Sequence, residues 1–185
     1  QVGTLYRVHG EPEERKLDLL LGSLAALGIA AEIPAENLKP RDLRAITERL
    51  GQSPERPLIE SLVIRSMQQA VYQPTNIGHF GLALEQYAHF TSPIRRYPDL
   101  VVHRTLRAML TPKDPHGVRL DAERLSLMGA DLSRLEKRSD EADRYVESFL
   151  KCVYLRDRIG QTFEGLVTTV VEFGCFVQLI GLGID

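Results

Sequence analysis

Residues 89–104 read His-Phe-Thr-Ser-Pro-Ile-Arg-Arg-Tyr-Pro-Asp-Leu-Val-Val-His-Arg, the densest run of chemically capable side chains in the chain. Ser92-Pro93 sets a turn, Arg95 and Arg96 follow it, and Tyr97-Pro98-Asp99 opens a helix. Backbone N–H groups point outward at a helix start, so two guanidinium groups beside one make a phosphate-holding arrangement. Arginine stays charged and can fork onto two phosphate oxygens. In the transition state of phosphoryl transfer it can neutralise charge that develops on those oxygens. The other reading needs no ligand: Arg95 and Arg96 are a surface pair bridged to Asp99 or to glutamates elsewhere, since charge pairs at turns are usually solvated. Tyr97 has two readings as well, stacking on a base or packing under the motif to orient Arg95.

Other groups offer weaker chemistry. His79, His89 and His103 fit no standard zinc spacing, and His89 and His103 are expected to hydrogen-bond to backbone or to Asp99. Asp140, Glu141 and Asp143 lie in a polar stretch that reads as a solvated or channel-lining face.

Several elements must position these groups. Pro12 to Leu27 reads as a helix with leucines at 17, 20, 21, 24 and 27, capped by Gly28. A loop with Pro34 and Ala35 follows, then a short helix from Pro40 to about Leu50, stopped by Gly51. A third helix is predicted from Pro57 to about Tyr72, with Leu58, Leu62, Val63, Met67 and Val71 on its buried face. Alternation at Phe80, Leu82 and Leu84, then at Gln86 and Ala88, predicts a hairpin of two short strands. The motif's helix runs to about Leu110, and Pro112, Pro115 and Gly117 mark a loop. A long helical pattern covers 121–158, nearly all polar over 133–143, and Gly160 ends it. Residues 165–179 are rich in β-branched and aromatic side chains, interrupted at Phe173-Gly174, and read as two strands of a small antiparallel barrel. Residues 4–9 read as a further strand. The abrupt start at Gln1 and the stop after a lone strand pair suggest a piece of a larger protein.

Composition narrows the class. Of 185 residues, 43% are hydrophobic and 26% charged, which excludes collagen-like or largely disordered chains. A net charge of −2 excludes a wholly basic nucleic-acid-coating protein but not a local basic patch. Two cysteines without a CxxC pair argue against a disulfide framework or Cys-rich zinc site and for a reducing, cytoplasmic compartment. The apolar runs are too short to span a bilayer, so no membrane partner is expected.

The segment His89-Phe-Thr-Ser-Pro-Ile-Arg-Arg-Tyr-Pro-Asp-Leu100 resembles the signature of the ribonuclease II / ribonuclease R family of processive 3′-to-5′ exoribonucleases. Gly78-His-Phe-Gly-Leu-Ala-Leu84 and Leu5-Tyr-Arg-Val-His9 match the same family. The Arg-Arg-Tyr-Pro form resembles the ribonuclease R branch more than ribonuclease II proper, where the stretch is usually Arg-Lys-Tyr-Gly. The resemblance implies an α+β fold. Residues 1–158 would be the mostly helical C-terminal part of an RNB-type catalytic domain with a short strand hairpin. Residues 160–185 would be the first strands of an S1-type RNA-binding OB-fold.

The same resemblance implies hydrolysis of single-stranded RNA to nucleoside monophosphates, with magnesium held by an aspartate cluster outside this chain and no small-molecule organic cofactor. Arg95 matches the arginine that supports the scissile phosphate, and it should aim into a groove where the polynucleotide ends. Arg96 and Glu136 are carried over as RNA-contacting or supporting positions, and Ser92 and Tyr97 of the same motif are candidates for RNA contact beside them. For Glu136 the alternative is a helix-surface partner for nearby cations. Phe173 and Phe176 straddle Gly174 where such barrels place exposed aromatics, though at least one ring is expected to turn inward. Two competing functions remain: an RNA-holding relative that has lost hydrolysis, and an unrelated helical hydrolase in which His79, His89 and His103 cluster.

Overall fold

The computed structural model describes residues 3–30, 38–53, 55–111, 113 and 116–184. The expected loop residues Pro34, Ala35, Pro112 and Pro115 lie outside these. The chain is mixed helix and strand and falls into two units, Gln1–Leu135 and Glu136–Asp185.

The first unit begins with β1 (Tyr6–Val8), followed by α1 (Glu14–Ala26), α2 (Pro40–Arg49) and α3 (Arg56–Ser66). As expected, α1 ends where Gly28 turns left-handed (φ +74), and Gly51 (φ +53) does the same after α2. The three helices share one core, with Leu20, Leu24, Leu43, Ile46, Ile59 and Val63 buried. The buried face of α3 is carried by Ile59 and Val63, four residues apart; Met67 packs only partly against it.

Two local expectations fail. The third helix stops at Ser66 instead of reaching Tyr72, and Val71–Gln73 becomes β2, antiparallel to β1 with Val8 opposite Val71. Val71 keeps the helical spacing, but the ladder to a strand more than sixty residues earlier wins the backbone. The predicted hairpin at 80–88 is also absent. Phe80–Leu82 forms a 3₁₀ turn because His79 Nδ1 accepts the Leu82 amide at 3.3 Å, and Ala83 then turns left-handed at φ +54.

The helix α4 (Tyr97–Leu110) starts at the motif as expected, and α5 spans Ala122–Arg156. In the first unit, Leu125 of α5 packs with Leu5 and Val101 in a second core. Here α5 touches β2 directly: the Tyr72 amide donates to Ser133 Oγ at 2.9 Å, and Ser133 Oγ donates to the Gly129 carbonyl at 2.7 Å. Gly129 is needed for that approach, since a Cβ there would overlap the Tyr72 carbonyl.

The second unit holds the rest of α5, whose 140–143 stretch is exposed as expected, and the antiparallel pair β3 (Gly165–Val171) and β4 (Gly174–Leu179). A register shift between Val167 and Thr169 bulges β3. Among the described residues no helix is long and apolar enough to cross a membrane.

Candidate functional site

The Ser-Pro dipeptide and the helix start behind it shape the motif. The Ser92 carbonyl accepts the amides of Arg95 (3.3 Å) and Arg96 (2.9 Å), closing a turn directly onto the N-cap of α4. Pro98 sits in the first helical turn, where its missing N–H costs nothing. Asp99, fully buried, accepts the Ser92 amide on Oδ2 at 2.7 Å and Arg96 Nη2 on the same oxygen at 2.9 Å.

The two arginines therefore have different fates. Arg96 is only 27% exposed and held by Asp99, with a longer contact from Nη2 to Thr91 Oγ1 at 3.4 Å. The pairing with Asp99 that one of its two readings expects is present for Arg96. Arg95 is exposed and has no hydrogen bond or ion pair among the described residues. It lines neither the cavity of about 570 Å³ beside His9 and His79 nor that of about 610 Å³ beside Thr4 and Leu125. Within this chain its guanidinium reaches solvent.

Tyr97 is 48% exposed, with no hydrogen bond or ring contact among the described residues. In the second unit, Glu136 is half-buried on α5 and already engaged by a polar neighbour. Phe173 stands 86% exposed between β3 and β4, and Phe176 on β4 is 49% exposed. Their rings meet edge to face at 6.3 Å. Neither ring is buried within the described strand pair.

The histidines do not converge. His103 Nε2 meets the Phe90 carbonyl at 2.8 Å, the backbone bond expected for it, and stacks on the Phe90 ring at 4.2 Å. His89 Nδ1 lies 2.9 Å from the Tyr72 hydroxyl, and Tyr87 stands edge-on between His89 and His79. His79 instead stacks on His9, at 5.1 Å. This removes the clustered-histidine hydrolase. Burial lowers the pKa of both His9 and His79, and Coulombic interaction with His9 lowers that of His79 further. Among the described residues no three His, Cys, Asp or Glu side chains gather closely enough to hold a metal ion.

Sequence reasoning missed two features here. One is the His9–His79 stack, whose partners lie 70 residues apart. The other is Asp99 as the lock of the turn, signalled by an acidic residue at the third helical position after a Ser-Pro turn.

Comparison with known proteins follows the same lines. A family model described as RNB domain matches residues 1–112. Ribonuclease R of Escherichia coli (strain K12) is 40% identical over 190 residues, covering 98% of this chain and 23% of that protein. A solved Mycoplasma genitalium RNase R, in complex with ribose-methylated single-stranded RNA, superposes with a TM-score of 0.88 at 27% identity, covering 100% of this chain and 29% of that one. Yeast Ssd1, described as a pseudonuclease, matches with a TM-score of 0.58 at 26% identity, over 70% of this chain and 16% of its own. The chain spans about a quarter of the length of the curated relatives it matches.

Proposed function

The chain belongs to the RNB-domain family, and from that membership we propose that it is part of a 3′-to-5′ exoribonuclease that hydrolyses single-stranded RNA to nucleoside monophosphates. Residues 1–158 are then the C-terminal part of the catalytic domain, and residues 160–185 begin an S1-type OB-fold. The observation that carries the reading is the division of labour at the motif. Arg96 is neutralised by Asp99, while Arg95 stands charged, exposed and, among the described residues, unpaired beside a helix N-terminus. That arrangement suits a guanidinium that neutralises charge on the non-bridging oxygens of the scissile phosphate as it builds. Ser92 shapes the turn beneath it, and the half-exposed Tyr97 ring next in sequence is open to a base. Glu136 contributes along the RNA path, and Phe173 and Phe176 offer faces on which bases stack without sequence preference.

Magnesium, which the family implies, would activate water and stabilise the leaving oxygen. The donor groups among the described residues do not fit it, and no step is routed through it; the proposal keeps its ligands outside this chain, as the resemblance implies. The experiment is Arg95→Ala in the complete protein. Turnover of single-stranded RNA should fall about 10²-fold while RNA affinity changes little. Equal losses in both would leave Arg95 as a binding residue only.

A second reading, an RNA-holding relative without hydrolysis, draws on the likeness to the yeast pseudonuclease. Magnesium-dependent release of mononucleotides by the complete protein separates the two.

A further inference from the structure

We propose that Asp99 is the positioning residue of this site: its buried carboxylate fixes the turn that presents Arg95 and withdraws Arg96 from competition for phosphate. The proposal rests on the nuclease reading of Arg95. Asp99 is the third residue of α4, where a carboxylate ordinarily reaches back to the amide of the helix N-cap. Here the N-cap amide, that of Arg96, is already taken by the Ser92 carbonyl at 2.9 Å. Oδ2 of Asp99 instead reaches seven residues back to the Ser92 amide at 2.7 Å, and the same oxygen accepts Arg96 Nη2 at 2.9 Å. Ser92 answers by accepting the amides of Arg95 and Arg96. One oxygen thus ties both ends of the turn, and Arg95 is the residue on it whose charged side chain is left over.

The chemistry is more than a helix needs. A serine or threonine caps a helix without burying a charge. Asp99 is fully buried, and among the described residues its Oδ1 has no hydrogen-bond partner, nor has the buried Nε of Arg96. A desolvated, half-satisfied carboxylate is costly. Bonds to a charged acceptor are also stronger and more directional than neutral ones, which suits a group that must hold a turn in one geometry. Misplacing a reacting partner by about 1 Å can cost on the order of 10²-fold in rate.

The test is a double-mutant cycle in the complete enzyme, with kcat and KM on single-stranded RNA and a folding check by circular dichroism. Asp99→Ala should lower kcat at least about 10-fold with KM within about 3-fold. In an Arg95→Ala background the same change should add less than about 2-fold, because the group it positions is gone. Asp99→Asn, which keeps an acceptor for the Ser92 amide but not the charge that holds Arg96, should recover only part of kcat, and parental kcat in it overturns the role given to the charge. Losses that multiply across the cycle, or a folded Asp99→Ala enzyme with parental kcat, overturn the proposal. If Asp99→Ala does not fold, Asp99→Glu replaces it: the added methylene shifts the turn, so kcat should fall and the loss should vanish in the Arg95→Ala background. Parental kcat in Asp99→Glu, or a loss that persists without Arg95, counts against positioning. An Arg95→Ala enzyme that keeps full kcat instead sinks the reading of Arg95 itself, a result distinct from a multiplicative Asp99 effect.

Discussion

His9 and His79 stack with their ring planes 16° apart, and Phe80 continues the stack on His9 at 6.2 Å. Each imidazole accepts a backbone amide on Nδ1, His9 from Gly81 and His79 from Leu82. Protonation would bring two positive rings together with Arg7 nearby, in a site that already disfavours charge. Both pKa values are lowered from 6.5 in the folded chain, so the unfolded chain takes up these protons first. The stabilisation from the pair is complete above about pH 6.5 and is lost as pH falls through the lowered folded values. Thermal unfolding of the complete protein should therefore show a midpoint that drops between about pH 7.5 and 5.5. His79→Phe keeps a ring in the stack and should flatten that drop. An unchanged pH dependence in the variant would remove His79 as a source.

At the scale of elements, the contact between α5 and β2 makes the sharpest demand. Alanine normally favours a helix over glycine by about 1 kcal/mol. At Gly129 the added methyl meets the Tyr72 carbonyl, a backbone atom that cannot swing aside. Overlap of that kind costs about 1–3 kcal/mol, so Gly129→Ala should lower the denaturant midpoint in spite of its better helix propensity. A raised midpoint would mean that the two elements separate easily.

The same contact shows what local pattern can reveal. The spans of α1, α2, α4 and α5 follow from apolar spacing, prolines in first turns and glycines past the last, all written within each segment. The pair β3–β4 follows from its β-branched run. The end of α3 does not, because what converts Val71–Gln73 to strand is β1, a partner distant in sequence. Phe80 to Leu84 alternates like a strand, yet one imidazole bond at His79 makes it a turn. At the motif, the residue types announce phosphate chemistry, but which arginine is free depends on where the Asp99 carboxylate folds back.

On the scale of the molecule, the proposed function puts the chemistry and the extra RNA-holding surface in different units. Arg95 lies in the first, and Phe173 and Phe176 lie in the second. Their removal should then have different signatures in the complete protein. Stacking on an aromatic ring is worth about 1–3 kcal/mol per base. Phe173→Ala should weaken single-stranded RNA binding about 10-fold or somewhat more, with kcat at saturating RNA nearly unchanged, the reverse of Arg95→Ala. Fluorescence titration beside steady-state turnover checks both. A loss of kcat without a loss of affinity in Phe173→Ala would place that ring with the chemistry instead.

Arg96 grips Asp99 through Nη2, and its buried Nε has no partner among the described residues. The two-pronged geometry of arginine is therefore unused at 96, and a lysine ammonium, which acts as a single point of charge, could do the same job while removing the stranded N–H. Position 95 has no such latitude, because a fork on phosphate is what it would supply. On the proposed function, lysine is thus a permitted exchange at position 96 and a costly one at position 95.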